Sequence, residues 1–486
     1  MVSATLQARL DVVRSNGTIP AAAVEAFAAH LRDAREEDLF RLSPLKWGRA
    51  NGVSDKDAIE LFLRATHAGI LEFAWGVICP RCGGFLATPA GLKSLENKWC
   101  ALCDLPIESQ LSDSIEVAFT VSPGVRRIRF HSPQTLDIAI DGVSALFSGN
   151  VGRGAEMQKK LGQSVISGGH LEGHSTHSER SALGPGRYMI VVPAANLAAR
   201  FAAVEGAERN DVEIDLFDGS AVVSVPEVRP GRLDLTLRNK SGVPIEYLLL
   251  ADPRPTEAEQ IAQKDQFQKY LLKLAEGDVW LTGRRLLTSQ AFHELFRAET
   301  IPIEKGIDVK GLSILFTDLQ GSTRLYQRAG DLKAFEMVRD HFTMLKDCVS
   351  SSGGAVVKTI GDAVMAAFSE PRAAVEAAVQ MHRRISKVAP GDLALKIGLH
   401  EGSCIAVHLN DRLDYFGSTV NIAARVQGKA AGGEIVLTES TFKAPDVEKL
   451  LRAAEFVGAK ESVELRGIEG TVPIMRLKAA VPPASP

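Results

Sequence analysis

Cysteine is scarce in this chain: six residues in 486, too few for a disulfide scaffold. No apolar run approaches the roughly 20 residues needed to span a bilayer. The first segment, MVSATLQARLDVVRSNG, interrupts its apolar residues with Arg9, Asp11 and Arg14 and makes a poor secretory signal. An excess of charge of one sign is also missing, since 56 basic side chains meet 59 acidic ones for a net charge of −3. Global electrostatics therefore point to neither nucleic acid nor a membrane surface. These absences predict a soluble, cytoplasmic protein with no membrane and no nucleic-acid partner. What remains is globular in texture, with 45% hydrophobic and 24% charged residues. At about 150 residues per domain the length suggests roughly three domains.

The texture changes along the chain. Residues 1–75 read as a helical module: Ala21–Ala34 and Asp57–Phe73 place apolar residues at helical spacing, and Ser54 stands ahead of the second with Asp55 and Asp57 in its first turn. Residues 76–112 hold two cysteine pairs. Residues 113–252 read as a β-rich, sandwich-like domain, because Ile115–Val121, Arg187–Val192, Val212–Phe217 and Arg232–Asn239 alternate or run apolar between turn signals. Within it, Ser148–Pro185 is rich in Gly, Ser and His and reads as a long loop. Residues 253–305 read as a helical linker opening on ADPRPTEAEQ. Strands and helices then alternate over 306–480.

Cys79-Pro-Arg-Cys82 and Cys100-Ala-Leu-Cys103 form C-x2-C-x17-C-x2-C. Two tight turns of this kind complete a closed tetrahedral thiolate site, which suits one structural Zn²⁺ and leaves no open position for catalysis. Between the pairs only Lys93 and Lys98 face Glu96, a weak electrostatic footprint for nucleic acid and a better match to a packing role. The remaining Cys348 and Cys404 read as small buried hydrophobes. His170, His174 and His177 are close in sequence, but Gly168, Gly169 and Gly173 argue against a persistent helix and no carboxylate completes a site, so a solvated loop is expected.

Three elements near the C-terminus carry chemistry. In LSILFTDLQGSTRLY an apolar strand runs into Asp318 and then a turn with Gly321, Ser322 and Thr323, a carboxylate followed by backbone N–H groups suited to a metal ion and a phosphate. In GGAVVKTIGDAVMAAF the Gly361-Asp362 step between apolar strands signals a hairpin with Asp362 at its tip. Asp318 and Asp362 together suit a pair of divalent cations for in-line displacement at phosphorus. In RLDYFGSTVNIAARVQGKA, Asn421 and Arg425 are four apart and share a helix face, an amide and a guanidinium able to hold a ribose and a phosphoryl group. Singly, each residue also has a bland reading as a helix cap, a turn residue or a surface charge.

In this order and spacing, FTDLQGST, KTIGD and DYFGSTVNIAARV, with ELRGIEG near the end, resemble the class III nucleotidyl cyclase domain of adenylate and guanylate cyclases over about 170 of the 486 residues. The region ahead, with its paired CxxC motifs, resembles a segment preceding some bacterial cyclase domains. The resemblance implies an α+β chain whose last domain is a ferredoxin-like βαββαβ unit with helices on one face of a mostly antiparallel sheet. It implies that Asp318 and Asp362 bind two Mg²⁺ or Mn²⁺, that Lys358 and Asp414 select the base, that Asn421 orients the ribose and that Arg425 stabilises the transition state. Arg466 falls near a triphosphate-binding Lys of the family. It further implies a homodimer in which one subunit supplies the aspartates and the other the remaining groups, giving two equivalent sites.

The base follows from hydrogen-bond chemistry. Adenine offers an N6 amino donor and an N1 acceptor, which match a carboxylate and an ammonium; guanine reverses both edges. Two mispaired charged contacts disfavour GTP by roughly 10²-fold or more. The expected function is therefore conversion of ATP to 3′,5′-cyclic AMP and pyrophosphate, with the N-terminal region regulating or scaffolding it. The alternatives are a guanylate cyclase or a catalytically silent nucleotide-binding module.

Overall fold

The computed structural model describes residues 4–15, 17–79, 82–87, 99–106, 114–132, 136–150, 152–252, 280–296, 307–320, 331–388, 394–409 and 412–480. The chain divides into two compact units, Met1–Ser109 with Asp113–Leu281, and Gln110–Ser112 with Thr282–Pro486. It is a mixed α/β, multidomain protein, and among the described residues no helix is long and apolar enough to cross a membrane.

The first unit begins with helices α1 (Ala4–Arg14), α2 (Ala21–Asp33), α3 (Pro44–Ala50) and α4 (Asp55–His67). Ser54 starts α4, its hydroxyl accepting the Asp57 N–H at 3.1 Å, a cap worth about 1 kcal/mol. The helices meet on aromatics: Phe62 lies 5.1 Å from Phe27 and 5.4 Å from Phe119, ring centre to ring centre. Phe119 belongs to β5 (Ile115–Val121), which pairs antiparallel with β1 (Leu71–Ile78); β1 also pairs with β2 (Phe85–Ala87). A two-residue ladder joins β3 (Trp99–Cys100) to β4 (Leu105–Pro106).

Two helices follow, α5 (Ile138–Leu146) and α6 (Gly152–Gly162), then nine strands: β6 (Val165–Leu171), β7 (Thr176–Leu183), β8 (Gly186–Val192), β9 (Leu197–Ala203), β10 (Asp211–Phe217), β11 (Ser220–Val223), β12 (Glu227–Val228), β13 (Gly231–Asn239) and β14 (Ile245–Ala251). They form two sheets, ordered β11-β10-β13-β7 and β12-β9-β8-β14-β6. Alternating side chains from both, among them Ile190, Phe201, Ile214, Leu235, Leu237 and Leu249, fill one core, the packing of a β-sandwich. Here Ser148–Pro185 departs from the expected loop. It holds α6 and the strands β6 and β7, one in each sheet, with His170 on β6, His177 on β7 and His174 between them at φ +56°. Long-range pairing explains the difference: β6 pairs with β14 and β7 with β13 over their lengths, which overrides the poor strand propensity of Gly168 and Gly169. Residues 253–279 of the expected linker lie outside the described residues.

In the second unit α7 (Gly283–Leu287) and α8 (Gln290–Leu295) precede β15 (Ile307–Gln320), α9 (Asp331–Ser351), β16 (Ala355–Ile360), β17 (Ala363–Phe368), α10 (Pro371–Val388), β18 (Ala394–Leu409), β19 (Arg412–Phe416), α11 (Ser418–Gln427), β20 (Glu434–Thr438), α12 (Val447–Ala453), β21 (Phe456–Glu464) and β22 (Thr471–Ala479). From β15 to β18 the order is βαββαβ. The sheet runs β16-β17-β15-β18-β20-β22-β21 with β19 on β18, and only β18 and β20 are parallel. Leu345, Val349, Val375 and Met381 from α9 and α10 pack on Leu315, Ile397, Ile435 and Leu437. Val426 of α11 instead packs on Val436. Successive strand residues face opposite ways, so α11, which follows the βαββαβ unit, covers the other face of the sheet. Its backbone sits so close to β18 that a Cβ at Gly398 would lie 2.2 Å from the Gln427 nitrogen.

Candidate functional site

Asp318 stands near the C-terminal end of β15, opposite Lys396 of β18. Lys396 Nζ lies 2.9 Å from its Oδ2, and both side chains are about 30% exposed. The sequence reading did not single out Lys396; its only signal is its cross-strand position, which becomes visible with the register. Asp362 follows Gly361, whose φ of +62° makes the β16–β17 hairpin. Phe316 pairs with Met365 across β15 and β17, and the Val364 N–H donates to Thr317 Oγ1 at 3.1 Å. Continuing that register brings Asp318 level with Ala363, next to Asp362. Two carboxylates thus share one end of adjacent strands, and among the described residues Asp362 makes no ion pair. Hard oxygen donors so placed fit a divalent cation such as Mg²⁺ or Mn²⁺. Behind them His341 on α9 is fully buried, with both ring nitrogens unpartnered. Burial lowers it to about 4, against the opposing pull of Asp362. Gly321, Ser322 and Thr323 lie outside the described residues.

A second group forms on β16 and β19. Lys358 Nζ is 2.6 Å from Asp414 Oδ2, with side-chain exposures of 38% and 11%. Asp414 Oδ1 accepts the Tyr415 N–H at 2.8 Å, so one oxygen fixes the carboxylate and the other offers itself beside the ammonium. Tyr415 is fully buried, its hydroxyl donates to the Leu287 carbonyl at 2.8 Å, and burial pushes the phenol well above its usual range. His293 of α8 contacts the same carbonyl at 2.7 Å, and Gln290 Oε1 accepts the Val356 N–H at 2.8 Å. The two short helices therefore brace the strands that carry Lys358 and Asp414, a contribution that sequence patterning did not reveal. Ile360 on β16, Phe416 on β19, and Ile405 and Leu409 on the adjoining β18 are about half exposed, and Ile405 and Phe416 are cross-strand partners.

The third group is on α11. Asn421 is exposed, one turn before the half-buried Arg425. Arg425 Nη1 is buried without a partner, and its guanidinium lies against Gly467, where a Cβ would sit 3.4 Å from Nη2. Arg466 is exposed in the same β21–β22 turn, so Arg425 and Arg466 belong to one neighbourhood. Among the described residues no hydrogen bond or ion pair joins the Asp318–Asp362 end to Lys358–Asp414 or to Asn421 and Arg425.

In the first unit the four cysteines converge. Their Sγ atoms all lie within 4.8 Å of one another, with Cys79 to Cys103 at 3.9 Å and Cys82 to Cys100 at 3.8 Å. Zn–S bonds of about 2.3 Å in a tetrahedron put sulfurs about 3.8 Å apart. Backbone N–H groups of Gly84 and Cys103 point to Cys82 and Cys100 sulfurs at 3.3 and 3.4 Å, and Gly83 adopts φ +72° to make the first turn. The donor set fits zinc. The cluster packs on Phe147, Met189, Val191 and Leu248, and Asn196 ties the second pair down by accepting from Ala101 N and donating to Trp99 O. It is the only convergent group of three or more His, Cys, Asp or Glu ligands among the described residues, so the three histidines do not form one. Cys348 and Cys404 are buried.

Residues 3–294 match the family of unknown function DUF5939, and residues 307–474 match the adenylate and guanylate cyclase catalytic domain. An adenylate cyclase of Anabaena cylindrica is 28% identical over 190 residues, 35% of this chain and 37% of that protein. A receptor-type adenylate cyclase of Trypanosoma congolense is 26% identical, covering 35% and 28%. An uncharacterized protein of Mycobacterium tuberculosis is 37% identical over 121 residues, 25% of this chain and 31% of that one. The chain thus spans little more than a third, at most, of these relatives' lengths. Among solved structures, the adenylyl cyclase CyaB of P. aeruginosa aligns with a TM-score of 0.32 at 20% identity, over 36% of this chain and 97% of that one.

Proposed function

The chain belongs to the family of unknown function DUF5939 and carries a class III nucleotidyl cyclase catalytic domain in its C-terminal third; we propose that it is an adenylate cyclase acting as a homodimer. The observation that carries the choice of ATP is the Lys358–Asp414 pair, an ammonium 2.6 Å from a carboxylate oxygen. An acceptor beside a donor is the complement of adenine's N6–H and N1.

Asp318 and Asp362 would hold the divalent cations, which supply acidification of the ribose 3′-hydroxyl and charge neutralisation at the triphosphate. Lys396, paired with Asp318 at 2.9 Å, would add an ammonium on the same side as the carboxylates that hold the cations. Asn421 orients the ribose. Arg425, with Nη1 awaiting a partner, meets charge gathering on the α-phosphoryl oxygens, and Arg466 beside it meets the chain of phosphates. The 3′-oxygen forms a bond to the α-phosphorus as the bond to pyrophosphate breaks. Dimerisation is supported by the half-exposed Ile360, Ile405, Leu409 and Phe416 around the base-selecting pair. The four cysteines would hold one structural zinc, and the DUF5939 region would regulate or scaffold a cytoplasmic enzyme.

The test is incubation of the full chain with ATP or GTP and Mg²⁺ or Mn²⁺, measuring cyclic nucleotide and pyrophosphate, with Asp318→Ala as control. Cyclic AMP from wild type alone, and scarce cyclic GMP, is the expected result. Preferential cyclic GMP overturns the base assignment, and no product from either nucleotide overturns the enzyme.

A further inference from the structure

Lys358 and Asp414 ride on strands that each have a single neighbour in the sheet: β16 pairs with β17, and β19 with β18. β19 is five residues long, and the register of β16 slips between Val356 and Lys358. A strand paired on one side leaves half of its backbone groups outside the ladder. Recognition of a base nevertheless needs its groups held to within about 0.5 Å. Contacts from outside the sheet therefore matter to the 2.6 Å spacing of Lys358 and Asp414, and α7 and α8 supply them on both strands.

Asp414 and Tyr415 are neighbours on β19 and so point to opposite faces. Tyr415 is pinned at both ends: its N–H donates to Asp414 Oδ1 at 2.8 Å, and its hydroxyl donates to the Leu287 carbonyl at 2.8 Å. Leu287 ends α7, where a carbonyl has no partner within the helix, and His293 Nε2 meets the same oxygen at 2.7 Å. A carbonyl only accepts, so that nitrogen carries the hydrogen. On β16 the Val356 N–H, two residues before Lys358, donates to Gln290 Oε1 of α8 at 2.8 Å. Glu294 of α8 is in turn ion-paired with Lys346 of α9 at 2.7 Å. One pair of short helices thus holds both base-selecting strands. The same helices close the DUF5939 match, which runs to residue 294, although the second unit already begins at Thr282.

We propose that Tyr415 and Gln290 are positioning residues for base selection: through the Leu287 carbonyl and the Val356 N–H, α7 and α8 set the spacing of Lys358 and Asp414, so that the end of the DUF5939 region fixes the preference for adenine over guanine. The inference rests on the base-selecting role proposed for that pair. Loosening either contact lengthens the hydrogen bonds to adenine and relaxes the mispairing against guanine, so the two bases move in opposite directions. A contact that only supports the fold moves both together.

The full chain is titrated calorimetrically with 3′-deoxy-ATP and 3′-deoxy-GTP in the presence of Mg²⁺. Both lack the attacking hydroxyl, so binding is read without turnover. Wild type should favour the adenine analogue. Tyr415→Phe keeps the ring, and the Leu287 carbonyl keeps His293, so the variant should melt normally. Gln290→Ala replaces a half-buried side chain at the start of α8. Each should narrow the adenine preference about three- to tenfold and raise KM for ATP more than it lowers kcat. An unchanged preference in both variants, or an equal weakening of both analogues, overturns this inference and leaves the base assignment standing. Wild type that binds neither analogue, binds both alike or favours guanine overturns the base assignment and this inference with it. If Tyr415→Phe melts early, Gln290→Ala decides alone.

Discussion

Asp414→Asn isolates the base-selecting chemistry from the rest of the site. The substitution is isosteric. One amide oxygen can still accept the Tyr415 N–H that Asp414 Oδ1 accepts at 2.8 Å, so the strand should hold its place. The other position changes from acceptor to donor, beside Lys358 Nζ and in front of the adenine N6 amino group. A hydrogen bond to a charged group is worth about 1.5–3 kcal/mol, and here the bond is replaced by two opposed donors. The kcat/KM for ATP should therefore fall about 10- to 150-fold, since each 1.4 kcal/mol is a factor of ten. GTP gains in the same substitution, because its O6 accepts from the new amide, so the ATP-to-GTP preference should narrow by about 10²-fold or more. Stability changes little: Lys358 is 38% exposed in this ion pair, and such pairs are worth about 0–1 kcal/mol. The assay is competition between ATP and GTP for the full chain, read as cyclic AMP against cyclic GMP, with a thermal melt alongside. An equal loss for both nucleotides at an unchanged melting temperature would refute the reasoning, because it would make Asp414 a general support of the site and not a reader of the base.

Co-purified Asp318→Ala and Arg425→Ala chains, each inactive alone, should recover about a quarter of wild-type activity, because half of a random mixture is heterodimer with one intact site of two; no recovery would place all groups of a site on one chain. Purified protein should carry one zinc per chain by elemental analysis, and Cys79→Ser or chelation should lower the melting temperature of the first unit, given four sulfurs within 4.8 Å embedded in its core. Burial holds His400 at about 4, below the unfolded value, so its contribution is complete above about pH 6.5 and is lost as pH falls toward 4. At pH 5 that loss is on the order of 2 kcal/mol. The urea midpoint should accordingly fall from pH 7 to pH 5 in wild type and less in His400→Gln.

What the sequence discloses and what it conceals divide along a physical line. Local chemistry is readable: a C-x2-C pair must turn back on itself, and a Gly-Asp step between apolar runs must form a hairpin, as Gly361 does at φ +62°. Groups whose meaning depends on register are not. Lys396 is an ordinary basic residue in a strand until pairing sets it opposite Asp318, and Gly168 and Gly169 look like loop until β14 pairs with them. α5 is hidden for a related reason. Asp137 caps it by accepting the Ala139 N–H at 3.1 Å, but IAIDGVSAL also reads as a half-buried β stretch, and only packing against the outer side of β14 decides for helix. The concealed features share a consequence. Lys396 and the bracing of Tyr415 by Leu287 modulate groups whose chemical type was already visible, so they set strength and geometry and leave the reaction class alone.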